Sequence, residues 1–338
     1  VRSSTSSSDR RRWFTTWLIA AFAFALSFGA WEAFWRHQGF VPSVTDDAAL
    51  WAATLRGLKR EDPEEIAIVG SSRIQLGINP DAFVAATGWR RPVQLAVAMG
   101  PSLPVLRHLA EEGFRGRVIC EVNPRIFFAE ERKLDWLIGS YLRKYHSLTP
   151  ADIVEERLGS AFQQAFVTRL PALSPRELLR AGMAGQLPAP EFISVQRDRY
   201  RYADYSHLDS LDRRIRTVRR LRRRSKATFL DPQAVERLVA EVATLVRKIR
   251  DRGGEVIFVR LPTNGHILDD ERRVVPRERY WDALASGVDA SAIHFQDHPE
   301  LAAFSGPDGE HLDQRDAAPF SRALGAILLR ELGRPGDE

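Results

Sequence analysis

The 338-residue chain contains one cysteine, Cys120, so no disulfide can form within it. This leaves the compartment open, because many proteins outside the cytoplasm carry no disulfides. Cys120 lies in the apolar run Val118-Ile119-Cys120, which suits a buried structural thiol better than a nucleophile. Neither a Gly-x-Gly-x-x-Gly pattern nor a Gly-Lys-Ser/Thr ending occurs, which excludes the common phosphate-cradling loops. His294, Asp297 and His298 form the one compact polar group with metal-ligating atoms. Without a matching set elsewhere it reads as a solvated loop, so no metal and no cofactor is expected. No internal repeat divides the chain. An apolar fraction of 44% beside a charged fraction of 28% excludes wholesale disorder.

Only one long apolar run is present. Residues 1–12 are Ser-rich and end in Arg10-Arg11-Arg12, as a cytoplasmic tail would. From Trp13 to Trp31 no charge interrupts a stretch rich in Phe, Ala and Leu. At about 1.5 Å rise per residue it just covers a hydrocarbon core of roughly 30 Å. Trp13, Trp17, Trp31 and Trp35 sit where interfacial anchors belong, which predicts a transmembrane anchor over 13–35. A cleaved signal peptide is the competing reading. Ser27-Phe28-Gly29-Ala30 lacks small residues at both expected cleavage positions, and this favours an uncleaved span. The arginines place the amino terminus inside the cytoplasmic membrane and the main domain outside, in an extracytoplasmic or periplasmic space.

Residues 36–64 read as a linker with one helix over Asp47–Leu58. A folded domain is expected over 65–338. Ile66–Val69, Val93–Val97 and Val118–Val122 are short apolar runs, with a helical segment near Leu103–Glu112 between the last two. From 129 to 230 the alternation stops and no convincing strand is visible, so this segment reads as a helical insertion after the third strand. It resumes with a helix capped by Asp231-Pro232, a strand over Val256–Val259, a weaker one over Ile293–Phe295 and a last helix after Asp313. The fold class is therefore α/β, a three-layer α/β/α domain with a mostly parallel sheet of about five strands. Ligands of such sheets bind at the carboxyl ends of the strands.

Two motifs fall there. Gly70-Ser71-Ser72-Arg73 ends the first strand, where a sharp turn into a helix exposes a hydroxyl beside free N–H groups. Asp308-Gly309-Glu310-His311 precedes the last helix, and an aspartate three residues before a histidine can hold the imidazole toward a nucleophile. Taken with these positions, the chain resembles the SGNH (GDSL) hydrolase superfamily, in a branch reading Gly-Ser-Ser-Arg in its first block. The resemblance covers about residues 65–330 apart from the insertion. It implies a flavodoxin-like sheet, Ser72 as nucleophile, His311 as general base and Asp308 as its orienter. It also implies an oxyanion hole built from the Ser72 amide, Gly100 and Asn123. Asn123 stands in Glu121-Val122-Asn123-Pro124, not in the family's Gly-x-Asn-Asp context.

Other charged groups have plainer readings. A second Asp-x-x-His, Asp204 to His207, lies inside the insertion, and its position before further sheet elements argues against it. Arg73 reads either as a structural ion pair or as a contact for a substrate carboxylate. Residues 197–226 hold twelve Arg or Lys against four Asp or Glu, so the chain's net +5 is concentrated there. Leu208, Leu211, Ile215, Val218 and Leu221 share one helix face, with arginines including Arg216, Arg220 and Arg223 covering the rest. That face is either merely solvated or meets an anionic partner, lipid headgroups or an acidic polysaccharide. Tyr200, Tyr202 and Tyr205 offer stacking surfaces for sugars. Nucleic acid is excluded as a partner by the outward placement of the domain.

These readings imply an anchored esterase or O-acyltransferase acting on acyl esters, acetyl first among them, of a cell-envelope or exported polysaccharide. Such chemistry expects a multi-pass acyl-donating membrane protein as partner. The alternative is a catalytically silent anchored subunit that binds anionic polymer or holds an export complex together.

Overall fold

A computed structural model describes the backbone of residues 7–130, 135–208, 210–224 and 227–333, and their side chains except at 7–10 and 221–224. Seven strands occur among them: β1 (Ile66–Val69), β2 (Val93–Gln94), β3 (Arg117–Glu121), β4 (Ile193–Val195), β5 (Arg201–Ala203), β6 (Glu255–Arg260) and β7 (Ser291–His294). Five make one parallel sheet, as the alternation of apolar runs predicts, and their order is β2-β1-β3-β6-β7. The second run forms ladder pairs only over Val93–Gln94, but Leu95 and Val97 go on donating to the Ile68 and Gly70 carbonyls of β1.

Helices before the insertion are α1 (Ser7–His37), α2 (Ala48–Arg56), α3 (Ser72–Gly77), α4 (Pro80–Thr87), α5 (Leu103–Glu111) and α6 (Pro124–Phe127). The insertion carries α7 (Asp135–Ser147), α8 (Pro150–Ala165), α9 (Pro175–Met183) and α10 (Leu211–Arg224). After it come α11 (Pro232–Arg250), α12 (Gly265–Val274), α13 (Arg277–Gly287), α14 (Pro299–Ala302) and α15 (Gln314–Leu332). Strand side chains alternate between faces, so Ile66 and Ile68 meet Phe83, Phe320 and Leu324 on one side of the sheet. Ala67, Val69, Val118 and Cys120 meet α2, α5 and α11 on the other. Burial pushes the Cys120 thiol up to about 12, as befits an inert core cysteine.

Capping follows the sequence closely. Asp47 and Asp231 accept bonds from first-turn amides, and Asn79 caps α4 with Pro80 in its first turn. The insertion departs from expectation. β4 and β5 form an antiparallel hairpin inside the segment that reads as strandless. Each strand has three residues, too few for a period-2 pattern, and their anchor is a distant charge pair. Arg199 at the hairpin turn is fully buried, binds Asp46 at 2.7 Å and donates to the carbonyls of Gln94, at the end of β2, and Ala96, just past it. At the base of the insertion, Ala129 bridges Phe229, and Leu230 donates to the Phe128 carbonyl.

α1 contains the one stretch among the described residues long and apolar enough to cross a membrane, Arg11–His37. Trp13, Phe14, Trp17, Ile19, Phe22 and Phe24 are all exposed, so the protein supplies no apolar surroundings for them. Its carboxyl half docks, through Phe28 against Phe166 and through Glu32 and Trp35 against Val167 and Leu173.

Candidate functional site

β1 and β3 are parallel neighbours in register Val69↔Cys120, so Ser72 and Asn123 leave the two strand ends at the same level. Strand order turns at this place, with β2 on one side of β1 and β3, β6 and β7 on the other. Crevices at such switch points are where open parallel sheets bind ligands.

The two adjacent serines have separate tasks. Ser71 is buried, caps α3 and donates its hydroxyl to the Glu121 carboxylate at 2.9 Å. Ser72 is partly accessible, and its Oγ lies 2.8 Å from His311 Nε2. The other imidazole nitrogen, Nδ1, is 3.0 Å from Asp308 Oδ2. Asp308 is an acceptor only, so Nδ1 carries the proton and Nε2 is free to accept the Ser72 hydroxyl. The backbone amides of Glu310 and His311 both donate to Asp308 Oδ1 and fix the carboxylate. Burial alone would raise the Asp308 pKa. The His311 hydrogen bond and the charges of His311 and Arg214 outweigh it and hold the carboxyl well below its usual range. Gly309 between them has φ +96, and a Cβ there would lie 2.7 Å from Ile267 Cγ1, so only glycine fits.

The expected oxyanion donors divide. The Ser72 amide heads α3, where a first-turn N–H has no intrahelical acceptor. Asn123 makes no side-chain cap bond, and its Oδ1 has no partner among the described residues. Gly100 does not fit the role expected of it, because its amide donates to the Val97 carbonyl at 2.7 Å. That turn puts its neighbour Met99 at φ +60 and leaves the thioether exposed. An oxyanion hole at this place would rest on the Ser72 amide and the Asn123 side chain. If the site turns over esters, Asn123→Ala lowers that turnover by about 10²–10³ while leaving the unfolding midpoint in place, measured by steady-state kinetics and thermal unfolding.

Arg73 is not an anion-binding residue. It is fully buried and donates to Glu271 at 2.7 Å and Glu310 at 2.9 Å. Glu271 also pairs with the buried Arg260, which binds Thr263 at 2.9 Å. Glu121 joins this cluster from the end of β3, and burial raises its pKa against the pull of Arg73 and the Ser71 bonds. A Cβ on Gly70 would come within 2.6 Å of Glu121 Cβ, so Gly70 lets this carboxylate tuck under the serine turn. Glu121 escaped the sequence reading, although an acidic residue closing an apolar strand calls for a buried base.

Asp204 and His207 do not pair. Asp204 accepts from Ser206 and from Gln314 at 2.9 Å, while His207 lies against Gly39. Tyr200 is fully buried and donates to the Pro92 carbonyl, which removes it as a stacking surface. Arg216 and Arg220 are exposed on α10, whereas the Arg223 side chain lies outside the described residues. The unforeseen contact of this helix is Arg214, whose Nε lies 2.7 Å from Asp308 Oδ2, the oxygen that also holds His311. The insertion thereby reaches the rear of the serine–histidine–aspartate row, 94 residues away in sequence.

His294 is a structural residue. Its ring packs on Trp281 and Phe295, and its Nδ1 accepts the Gln296 amide at 3.2 Å. Burial, then the charges of Arg260 and Arg277, push its pKa down to about 3. The unfolded chain takes up this proton near 6.5 and the native state does not, so stability is lost as pH falls from 6.5 toward 3. His294→Gln should give a shallower fall of unfolding free energy between those pH values, read from urea titrations.

Fold and site together define an α/β protein with a Ser-His-Asp row at the switch point of a parallel sheet. No known family model matches the chain, and no curated protein matches it.

Proposed function

We propose that the protein is a membrane-anchored serine esterase or O-acyltransferase of the SGNH type. The observation that carries this reading is the alignment of Ser72 Oγ, His311 and Asp308 at 2.8 and 3.0 Å. His311 Nε2 takes the Ser72 proton as Oγ attacks an ester carbonyl. The tetrahedral oxyanion is met by the Ser72 amide and the Asn123 side chain. His311 then protonates the departing alcohol, leaving an acyl-serine. Water or a sugar hydroxyl, deprotonated by His311, takes the acyl group and restores Ser72.

The substrate is an acyl ester, acetyl first, on a cell-envelope or exported polysaccharide. This rests on the resemblance and on the span near the amino terminus. In this reading α1 crosses the cytoplasmic membrane with its arginines inside and the domain extracytoplasmic. A multi-pass membrane protein supplies the acyl donor, and Arg216 and Arg220 face the anionic polymer or lipid.

The test is mass spectrometry of the detergent-solubilised chain after exposure to a serine-reactive fluorophosphonate. One adduct on Ser72, lost in His311→Ala and kept in His207→Ala, is expected. A second reading, a silent anchored subunit, is favoured by the committed Gly100 amide and by Arg214 sharing Asp308. A folded protein that never acquires the adduct, and whose Ser72→Ala variant supports polymer modification normally, selects that reading.

A further inference from the structure

α8 is built inside out. Polar side chains hold much of its inner face: Gln163 accepts the Thr45 amide at 2.7 Å, and the buried Ser160 accepts from Arg197 at 3.3 Å, beside Ile153, which packs on the core. Five apolar ones, Ala151, Val154, Leu158, Phe162 and Ala165, recur at intervals of three and four and are all exposed, with Glu155 and Arg157 exposed beside them. A surface helix of a water-soluble domain shows the opposite arrangement. α9 likewise leaves apolar side chains outside. Leu178 packs against the Trp35–Phe40 cluster, while Leu179 and Met183 are 67% and 82% exposed.

Both helices stand at the foot of α1. The Glu32 carboxylate accepts the Val167 amide at 2.7 Å, and Arg36 donates to the Ala165 carbonyl at 2.8 Å, so the helix end is clamped to the insertion. An aromatic ladder joins the two surfaces. Phe24 stacks on Phe28 at 5.9 Å, Phe28 meets Phe166 edge-on at 5.2 Å, and Phe166 stacks on Phe162 at 6.4 Å. These rings link the apolar surface of the span to the exposed apolar residues of α8. Arg169, Arg176 and Arg180 are exposed around it, where long basic side chains reach phosphate headgroups.

We propose that the outward faces of α8 and α9 lie in the headgroup–acyl boundary of the bilayer that α1 crosses. The insertion is then a second, monotopic membrane contact, which fixes the height and tilt of the domain where a flexible stalk would leave it free. The inference rests on α1 as a span and is independent of the chemistry at Ser72.

The full chain is placed in nanodiscs of phosphatidylcholine and phosphatidylglycerol containing no other protein. Nitroxides are attached one at a time to cysteines at Leu158, Phe162, Leu179 and Met183, with Phe22 as the span control and Glu236 as the water control. Cys120 is buried and does not label. Oxygen collisions should exceed those of a water-soluble nickel complex at the four insertion sites, as at Phe22 and opposite to Glu236. Phe22 deep in the bilayer with all four sites water-exposed overturns the inference while the span stands, and assigns the patch to a protein partner. Phe22 exposed to water overturns both.

Discussion

Replacing His311 by alanine is expected to lower the turnover of a small acyl ester by about 10⁴-fold or more, and Ser72→Ala by a similar factor. The double variant should be no worse than either single one. Hydroxyl and imidazole act as a unit across 2.8 Å, and removal of one leaves the other nothing to do. Asp308→Asn belongs to the same set for another reason. An amide facing Nδ1 presents N–H groups as well as an oxygen, so the ring is no longer held with its proton on Nδ1, at a cost of about 10⁴. Stability should separate these variants. Among the described residues the Ser72 side chain hydrogen-bonds to His311 alone, so its loss leaves the unfolding midpoint nearly unmoved. Asp308 is buried and also holds Arg214 and two backbone amides, so its replacement costs stability as well as rate. Steady-state hydrolysis of p-nitrophenyl acetate beside thermal unfolding of each variant checks both statements. A single variant retaining native turnover would remove the triad as the source of activity.

The largest loss of stability is expected at Arg73. Burial by itself would lower the pKa of this guanidinium. The carboxylates of Glu271, Glu310 and Glu121 outweigh that and raise it, so the group stays charged inside the protein. Breaking a buried pair by removing one partner leaves the other charge unsolvated and costs about 3–5 kcal/mol. Arg73→Ala should therefore lower the unfolding free energy by about that amount in urea titrations of the solubilised chain. Arg73→Lys should recover only part of it, because one ammonium cannot reproduce the fork that reaches two carboxylates. Glu271→Gln should be costly too, since Glu271 answers both Arg73 and Arg260. If Arg73→Ala unfolds like the native chain, the cluster is not what holds the serine turn over β3.

What the sequence determined by itself was whatever depends on near neighbours. Apolar runs of four to six residues set the β1, β3 and β6 positions, because a strand buried on both faces needs no more than an uninterrupted apolar segment. Asp47, Asp231 and Asp313 placed helix starts, because capping is a contact within three residues. Asp308 and His311 could be paired on paper for the same reason, and Ser72 followed from its place after the first strand. The tertiary structure decided everything that depends on distant partners. It chose Asp308–His311 over Asp204–His207 by putting only one of them 2.8 Å from Ser72. Arg73 became a core ion because Glu271, 198 residues on, arrives beside it. Gly100 lost its free amide to a turn set by Val97, and Arg214 joined Asp308 from a helix whose sequence reads only as basic. The short hairpin of β4 and β5 exists because Arg199 finds Asp46 and the carbonyls at the end of β2. Local sequence carries propensity and capping, whereas the environment of a charge is made by whichever chain segments the fold brings against it.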